Sequence, residues 1–587
     1  MKDNAYIIKK MFRGSLMVMI LATLTATLGM VIDGILIGSY LGVDAMASYG
    51  IAGPAFIVIS AIGGIISSGE QTLCAREMGR GRMDEANAVF SLSTVFGVAI
   101  SLVFALALLL FSNPLAVLLG ASGSHSDLLP DASMYMKGLA FGIPAMTLTG
   151  SLQPIMQLDG DKSKALLSVI VMTVVNIGSD LLNIFVFHGG MLGMAIATTV
   201  SYYAGLVVFV IHFFRKDSMY RLRFDTLKAE YLPEIITIGL PTAVSRVCNM
   251  VRTLLLNRLL LALAGSMAVA AFSVQSNMNN MFGSVAVGVG MTTLMISGVV
   301  VGEEDKASIK KLIKTSLAHG FVLVTIVSVI LFVFAPVFVS FYVQNSPETA
   351  ALAVASVRFF CISMPLHATI SVFINYLQGS RNTLRAHILT LFNELVGIVA
   401  AAFVLSPVFS VNGVWASFPV GKVLTILLLI GMAAVNVKRY PNRLEDFLFL
   451  PEGFDVADSE KYESHASDME QVLEMSRDAL AFCRQKGIEE KRAYYLSLCI
   501  EEMAGNIIKF GFSDGKKHDI DLRLIRKEDA LIVRIRDDCR LFNPKEGLEI
   551  HSEDEKTKNI GIRMINRIAK DFNYINTLDM NNLIIRI

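Results

Sequence analysis

Two aspartates interrupt runs of apolar residues in which an ionised side chain is costly. Asp33 lies in Met30-Val31-Ile32-Asp33-Gly34, and Asp180 closes Asn176-Ile177-Gly178-Ser179-Asp180. Ionisable groups in such segments are functional hypotheses by default. Asn176 and Asp180 are four apart and share one helix face. Two carboxylates with an amide and hydroxyls offer Na⁺ a set of oxygen ligands. They could equally share a proton, because two close carboxylates resist double ionisation. The structural alternative is an aspartate tied up in a helix-packing hydrogen bond. A second polar set comprises Arg246, Asn249 and Arg252 at i, i+3 and i+6, followed by Asn257 and Gln275. It reads either as a cavity wall that favours anionic or zwitterionic groups, or as arginines that snorkel or neutralise buried acids such as Asp33 and Asp180. Glu70 and Glu394 are weaker candidates of the same kind. A third set is Glu502 and Asn506, again four apart. A carboxylate beside an amide oxygen can activate water and hold Mg²⁺, and a solvated acidic face explains the pair equally well. Asp537-Asp538-Cys539-Arg540 and Asn559-Ile560-Gly561-Ile562 follow it.

These residues belong to two very different parts of the chain. Of 587 residues, 54% are hydrophobic and 17% are charged, against about 25% charged in an ordinary soluble domain. Residues 1–440 hold 49 of the 101 charged residues and are net +7. Residues 441–587 hold 52 and are net −6. The pattern is a large membrane body followed by a charged, soluble domain. Twelve apolar segments between 14 and 436 reach the roughly 20 residues that a bilayer crossing needs. The odd-numbered connections, all on one side, lack Lys and Arg. Those on the other carry Arg80, Arg82, Lys162, Lys164, Lys306, Arg381, Arg385, Lys438 and Arg439. By the positive-inside rule both termini are cytoplasmic. No cleavable signal peptide is expected, and the six cysteines form no metal-ligating spacing.

The body also repeats. An offset of 223 places Gly42 on Gly265, Ala45 on Ala268 and Gly79 on Gly302. Two parallel six-helix lobes with a cavity between them are expected, with alternating access by rocking one lobe against the other. The expected organisation is lobe one over 1–222, lobe two over 223–440, a linker over 441–466 and a cytoplasmic domain over 467–587. In that domain, amphipathic helices from 467 and over 489–510 precede alternating strands near 520–525 and 531–535. A helix near 560–571 and a closing strand at 583–587 complete an α+β sandwich.

Residues 1–440 resemble the multidrug and toxic compound extrusion (MATE) family. The resemblance rests on Val31-Ile32-Asp33-Gly34 running to Tyr40-Leu41-Gly42, on Leu158-Asp159-Gly160-Asp161 and on Gly239-Leu240-Pro241, besides the two-lobe plan. It implies an efflux antiporter in a bacterial inner membrane, exchanging drugs or metabolites for H⁺ or Na⁺, and no enzyme. It implies a coupling site at Asp33, Asn176 and Asp180, with Thr198 as a further member. The arginines of the seventh span depart from the family's neutral positions, and so from a purely lipophilic-cation substrate. Residues from about 465 resemble the histidine-kinase-like (GHKL) ATPase fold, in its anti-sigma-factor branch. That resemblance implies Mg-ATP binding through Glu502 as base, Asn506 as Mg²⁺ ligand, Asp537 on adenine and Gly561 at phosphate. Cys539, Leu541 and Asn559 stand where glycines would let the backbone approach the nucleotide. A nucleotide-sensing tail or one that docks a cytoplasmic protein partner is expected. No nucleic-acid signature is present. A signalling receptor and a lipid-linked precursor flippase are the alternative readings.

Overall fold

The computed structural model describes residues 6–215, 218–343, 346–527, 530–540 and 569–587. Helices dominate up to residue 437: α1 (Tyr6–Leu36), α2 (Val43–Gly79), α3 (Met83–Leu118), α4 (Leu129–Leu158), α5 (Lys162–Leu182) and α6 (Gly190–Phe213). They continue as α7 (Leu232–Gly302), α8 (Lys306–Val333), α9 (Ala335–Ser340), α10 (Pro347–Gly379), α11 (Thr383–Leu391), α12 (Gly397–Phe409) and α13 (Val411–Val437). Among the described residues, ten helices are long and apolar enough to cross a membrane. Their outer faces are apolar and uncovered, as at Leu110, Phe111, Val404 and Val408, which suits hydrocarbon and not water. The turns are capped by short acids and hydroxyls: Asp161 accepts from the Lys164 amide, Asp305 from Ser308 and Ser346 from Thr349.

The long α7 is broken at Ala264–Gly265, where Gly265 has φ of +68°. Its repeat mate Gly42 has φ of +97° and separates α1 from α2. Helices α2 and α7 cross at very short range. A Cβ on Gly79 would stand 2.1 Å from the Val299 carbonyl oxygen, and one on Gly302 would stand 2.1 Å from that of Arg76. Arg76 and Val299 are also mates at the 223 offset, so one contact is made twice.

The tail is an α+β layer pair. Strands β1 (Lys461–Ala466), β2 (Ile520–Lys527), β3 (Ala530–Asp537), β4 (Asp571–Thr577) and β5 (Met580–Arg586) form an antiparallel sheet in the order β1-β2-β3-β5-β4. Helices α14 (Met469–Gln485) and α15 (Glu490–Asn506) cover one face. Their buried stripes, Val472-Met475-Ala479-Cys483 and Ala493-Leu496-Ile500-Met503, recur at helical spacing and meet Leu522, Leu524, Val533, Ile535, Leu583 and Ile585.

The tail differs from expectation in its linker and in strand β4. The linker expected over 441–466 ends in β1, an edge strand. It is also packed on the body: Leu448 and Phe449 are buried and the Tyr376 hydroxyl donates to the Leu448 carbonyl at 2.8 Å. Of the helix expected near 560–571, the residues up to 568 lie outside the described residues, and β4 begins at Asp571. Strand β4 was not expected, because Asn573 and Asn576 dilute its alternation.

The other face of the sheet packs against the membrane body. Arg534 reaches Glu303 at 2.8 Å and Asp305 at 2.7 Å, and Arg536 also binds Glu303. Asp538 binds Lys10, and Lys162 donates to the Leu578 carbonyl at 2.9 Å.

Candidate functional site

Asp33 on α1, Asn176 and Asp180 on α5, and Thr198 on α6 converge and are all buried. The Thr198 hydroxyl donates to Asp33 Oδ2 at 3.4 Å, and Asn176 and Asp180 lie beside Asp33. Helices α1 and α5 lie directly against each other here: a Cβ on Gly29 would stand 3.4 Å from Asn176 Oδ1, at contact distance. Asp33 Oδ1 and both Asp180 oxygens have no hydrogen-bond partner. Buried polar atoms are normally satisfied, so this oxygen set is suited to a small cation or a shared proton. Each aspartate is followed within a turn by a π-helical segment, Ile37–Leu41 after Asp33 and Asn183–Phe187 after Asp180. Such wide turns are frequent at functional sites because they redirect side chains and loosen the ladder.

The second polar set divides. Arg246 is exposed between the repeats, with its Nε 3.9 Å from the position of a Cβ on Gly64 of α2, and has no ion-pair partner among the described residues. Asn249 and Asn257 are half-buried. Gln275 is buried and accepts from Ser356 on α10, so it belongs to packing. Arg252 is buried and pairs with Glu394 at 3.1 Å. Neither arginine neutralises Asp33 or Asp180 through an ion pair in the described structure.

The Arg252–Glu394 pair is part of a larger network that sequence reasoning missed. Lys422 of α13 donates to Asn393 Oδ1 at 2.8 Å, and Asn393 donates to Glu394 at 2.6 Å. His367 of α10 lies beside them with an unpartnered Nδ1. Asn393 and Glu394 sit in a third π-helical segment, Phe392–Val396. Lys422 and His367 are single ionisable residues inside apolar spans, so the rule that picked out Asp33 would have found them. Removing one member of a buried ion pair leaves a charge uncompensated, at a cost of about 3–5 kcal/mol. Glu394→Gln, which strands Arg252 and Lys422 together, should therefore lower the melting temperature of the purified protein. Thermal unfolding followed by fluorescence checks this.

In the tail, Glu502 and Asn506 are half-buried at the C-terminal end of α15. Asp537 ends β3 on the same side of the sheet as the helices. Its Oδ1 accepts from Asn581 at 2.8 Å and from the Cys539 amide at 3.0 Å, and burial raises its carboxyl above the ordinary value. Gly561, Leu541 and Asn559 lie outside the described residues. His518, Asp538 and Cys539 are close enough to share a metal ion, but Asp538 is already spent on Lys10, Tyr6, His518 and the Asp519 amide.

The chain matches the MatE family over residues 19–182 and 241–403, and the histidine kinase-like ATPase domain over 465–587. It is 24% identical over 390 residues to the multidrug export protein MepA of Staphylococcus saprophyticus, an alignment spanning 66% of this chain and 84% of that protein. It is 22% identical over 425 residues to the probable multidrug resistance protein YoeA of Bacillus subtilis, spanning 70% and 90%. Among solved structures, an outward-facing multidrug resistance MATE transporter of the MOP superfamily has a TM-score of 0.68 at 21% identity, over 72% of this chain and 94% of that one. A MOP superfamily transporter from Pyrococcus furiosus, described as having a binding pocket of reverse polarity, has a TM-score of 0.67 at 21% identity and the same coverage. The two matched repeats together span more than half of the sequence, and the chain belongs to the MATE family of multi-pass membrane transporters, with a histidine kinase-like ATPase domain at its C-terminus.

Proposed function

We propose that the protein is a secondary efflux antiporter in which H⁺ or Na⁺, bound by Asp33, Asn176, Asp180 and Thr198, drives export of small molecules. The observation that carries this reading is the pair of buried carboxylates with unpartnered oxygens, held by three helices of one repeat. With α7 split at Gly265 and α4 counted as a span, the body is read as twelve crossings in two six-helix lobes. Loop charge then puts both termini, and the tail, in the cytoplasm. The relatives named for multidrug export and probable multidrug resistance support a small-molecule cargo. Arg246, exposed between the repeats, adds an anionic or zwitterionic group to the cargo's chemistry, with Asn249 and Asn257 beside it. The same basic position also suits a phosphate headgroup, which keeps a lipid-linked precursor flippase as the second reading. Proteoliposomes given a pH gradient or a Na⁺ gradient, and assayed with ethidium and with a labelled lipid-linked phosphate, separate these. Ethidium movement under one gradient is expected. Lipid movement alone would favour the flippase, and movement of neither would sink both.

The tail is read as a nucleotide-sensing module. Glu502, Asn506 and Asp537, the residues that the resemblance assigns to nucleotide, lie on the helix-covered side of the sheet, and Asn506 would hold Mg²⁺. Calorimetry of the full-length protein in detergent should show Mg²⁺-dependent ATP binding that Asn506→Ala abolishes. No binding at millimolar ATP would leave the tail as a docking module for a protein partner.

A further inference from the structure

The sheet of the tail has two faces with different duties. Side chains alternate along a strand, so on β3 Val533, Ile535 and Asp537 turn to the helices, while Arg534 and Arg536 turn to the membrane body. Asp538 continues that second face beyond the strand end and reaches α1. The outer face of an α+β sandwich is ordinarily wet. Here it carries arginines at positions 523, 534 and 536 that are nearly inaccessible, with side-chain exposures of 4%, 8% and 2%.

Those arginines hold the second repeat. Their partners are Glu303 and Asp305 in the turn between α7 and α8, besides Asp455, which Arg523 reaches at 2.5 Å. Arg523 also donates to the Glu303 and Glu304 carbonyls, at 3.4 and 3.3 Å. Burial opposes ionisation of Asp305, but Arg523 and Arg534 hold its carboxyl far below the ordinary range. The pairing is therefore present above the ordinary carboxylate pKa and persists as the pH falls well below it.

The same sheet holds the first repeat. The β4–β5 hairpin enters the turn between α4 and α5: the Leu578 amide donates to the Leu158 carbonyl at 3.4 Å, and Lys162 donates to the Leu578 carbonyl. Leu578 is fully buried in the hydrophobic core of the membrane body. It and Asp579 have φ of +57° and +62°. A two-residue hairpin turn of this kind favours Asn-Gly, and leucine is disfavoured in that conformation. An apolar, strained tip is explained by what it plugs. At the end of β3, Asp538 binds Lys10 and accepts from the Tyr6 hydroxyl of α1 at 3.2 Å.

We infer that the outer face of the ATPase-like sheet is an intramolecular docking surface that latches the two repeats together at their tail-bearing ends. One hydrogen-bonded sheet grips α1 and the α4–α5 turn of one repeat and the α7–α8 turn of the other. The repeats cannot separate at that end while both grips hold. Transport by rocking then requires release of one grip, and the latch sets how often that happens. Asp537, facing the nucleotide side, and Asp538, bound to α1, are consecutive, so a change on one face is felt on the other. The inference rests on the reading that the two repeats move apart at this end during transport.

The test is electron–electron spin resonance on the full-length protein in nanodiscs. Labels on exposed Asp84 (α2–α3 end) and Leu384 (α10–α11 end) report the separation of the repeats. The wild type should give one narrow, short distance. Leu578→Gly removes the plug while keeping a residue that accepts the turn's backbone. Arg534→Glu with Arg536→Glu breaks the other grip. Each should add a second, longer population, and limited proteolysis of the tail shows that release has occurred. An unchanged distance distribution in a protein whose tail has become protease-sensitive overturns the latch. Failure of the ion-coupling reading looks different: gradient-driven transport is absent, yet the distances still respond to the tail substitutions.

Discussion

Asp180→Asn should abolish gradient-driven efflux, reducing it by at least about tenfold, while the protein inserts normally and unfolds at a higher temperature. The two effects have one cause. Asp33 and Asp180 are buried together with three oxygens unpartnered, and like charges so placed repel and resist desolvation. An amide has nearly the shape of the carboxylate and carries no charge, so the substitution removes the repulsion. Strain of this kind is tolerated at sites where it serves activity. A gain of about 0.5–2 kcal/mol in stability is the usual scale of a stabilising substitution. The variant keeps Asp33, so a single proton or Na⁺ still has one carboxylate, but exchange between two is lost. Transport of ethidium in proteoliposomes, with melting measured on the same preparation, checks both halves. Unchanged transport would sink the coupling role of Asp180. Asn176→Ala then divides the two ions. Its amide oxygen can ligate Na⁺ but carries no exchangeable proton at neutral pH, so loss of transport points to Na⁺ and retention points to H⁺.

How far this was legible in the sequence depends on the kind of signal. Asp33 and Asp180 stood out because bilayer segments contain almost nothing ionisable, and the i, i+4 spacing of Asn176 and Asp180 already gave them one face. The repeat offset carried geometric content: Gly42 and Gly265, paired by arithmetic, both adopt positive φ, and both break a helix. Glu394 is a single acid in the sequence, whereas its meaning lies in Arg252, which pairs with it, and in Lys422 and His367, which come beside it from two further helices. Such tertiary neighbours leave no periodic trace. The docking face is the clearest case. Asp521-Leu522-Arg523-Leu524 and Val533-Arg534-Ile535-Arg536 alternate as a strand with one wet face would. The polar positions were in fact destined for Glu303 and Asp305, more than two hundred residues earlier. Ion pairing across that separation is chemically indistinguishable, in sequence, from solvation. The hairpin tip was invisible for a different reason, because Leu578-Asp579 is a poor turn pair by local preference and only the membrane body makes it favourable.

Gly302→Val should lock the transporter out of the closed arrangement described here, and Gly79→Val should do the same. At each site a Cβ would stand 2.1 Å from a backbone carbonyl oxygen of the opposing helix. Ordinary approach of carbon to a carbonyl oxygen is about 3.3 Å or more. The obstruction is backbone, so no rotamer change relieves it, and α2 and α7 must part by roughly 1 Å. Overpacking of that kind costs about 1–3 kcal/mol, which moves a two-state equilibrium by about five- to 150-fold. Cysteines placed at Ser68 of α2 and Thr242 in the first half of α7, whose hydroxyls lie 2.9 Å apart at a neighbouring contact of α2 with the second repeat, report the arrangement. They should cross-link readily in an otherwise unaltered protein and poorly when either valine is present. Efflux should fall with the cross-link, since a cycle needs both arrangements. The repeat makes the comparison sharper than a single substitution would. Gly79 meets Val299 and Gly302 meets Arg76, and the two contacts are images of each other. If the closed state is one rigid juxtaposition of two equivalent units, the two valines should shift it by similar amounts. Together they should add less than the sum, because once α2 and α7 have separated at one contact the second is already relieved.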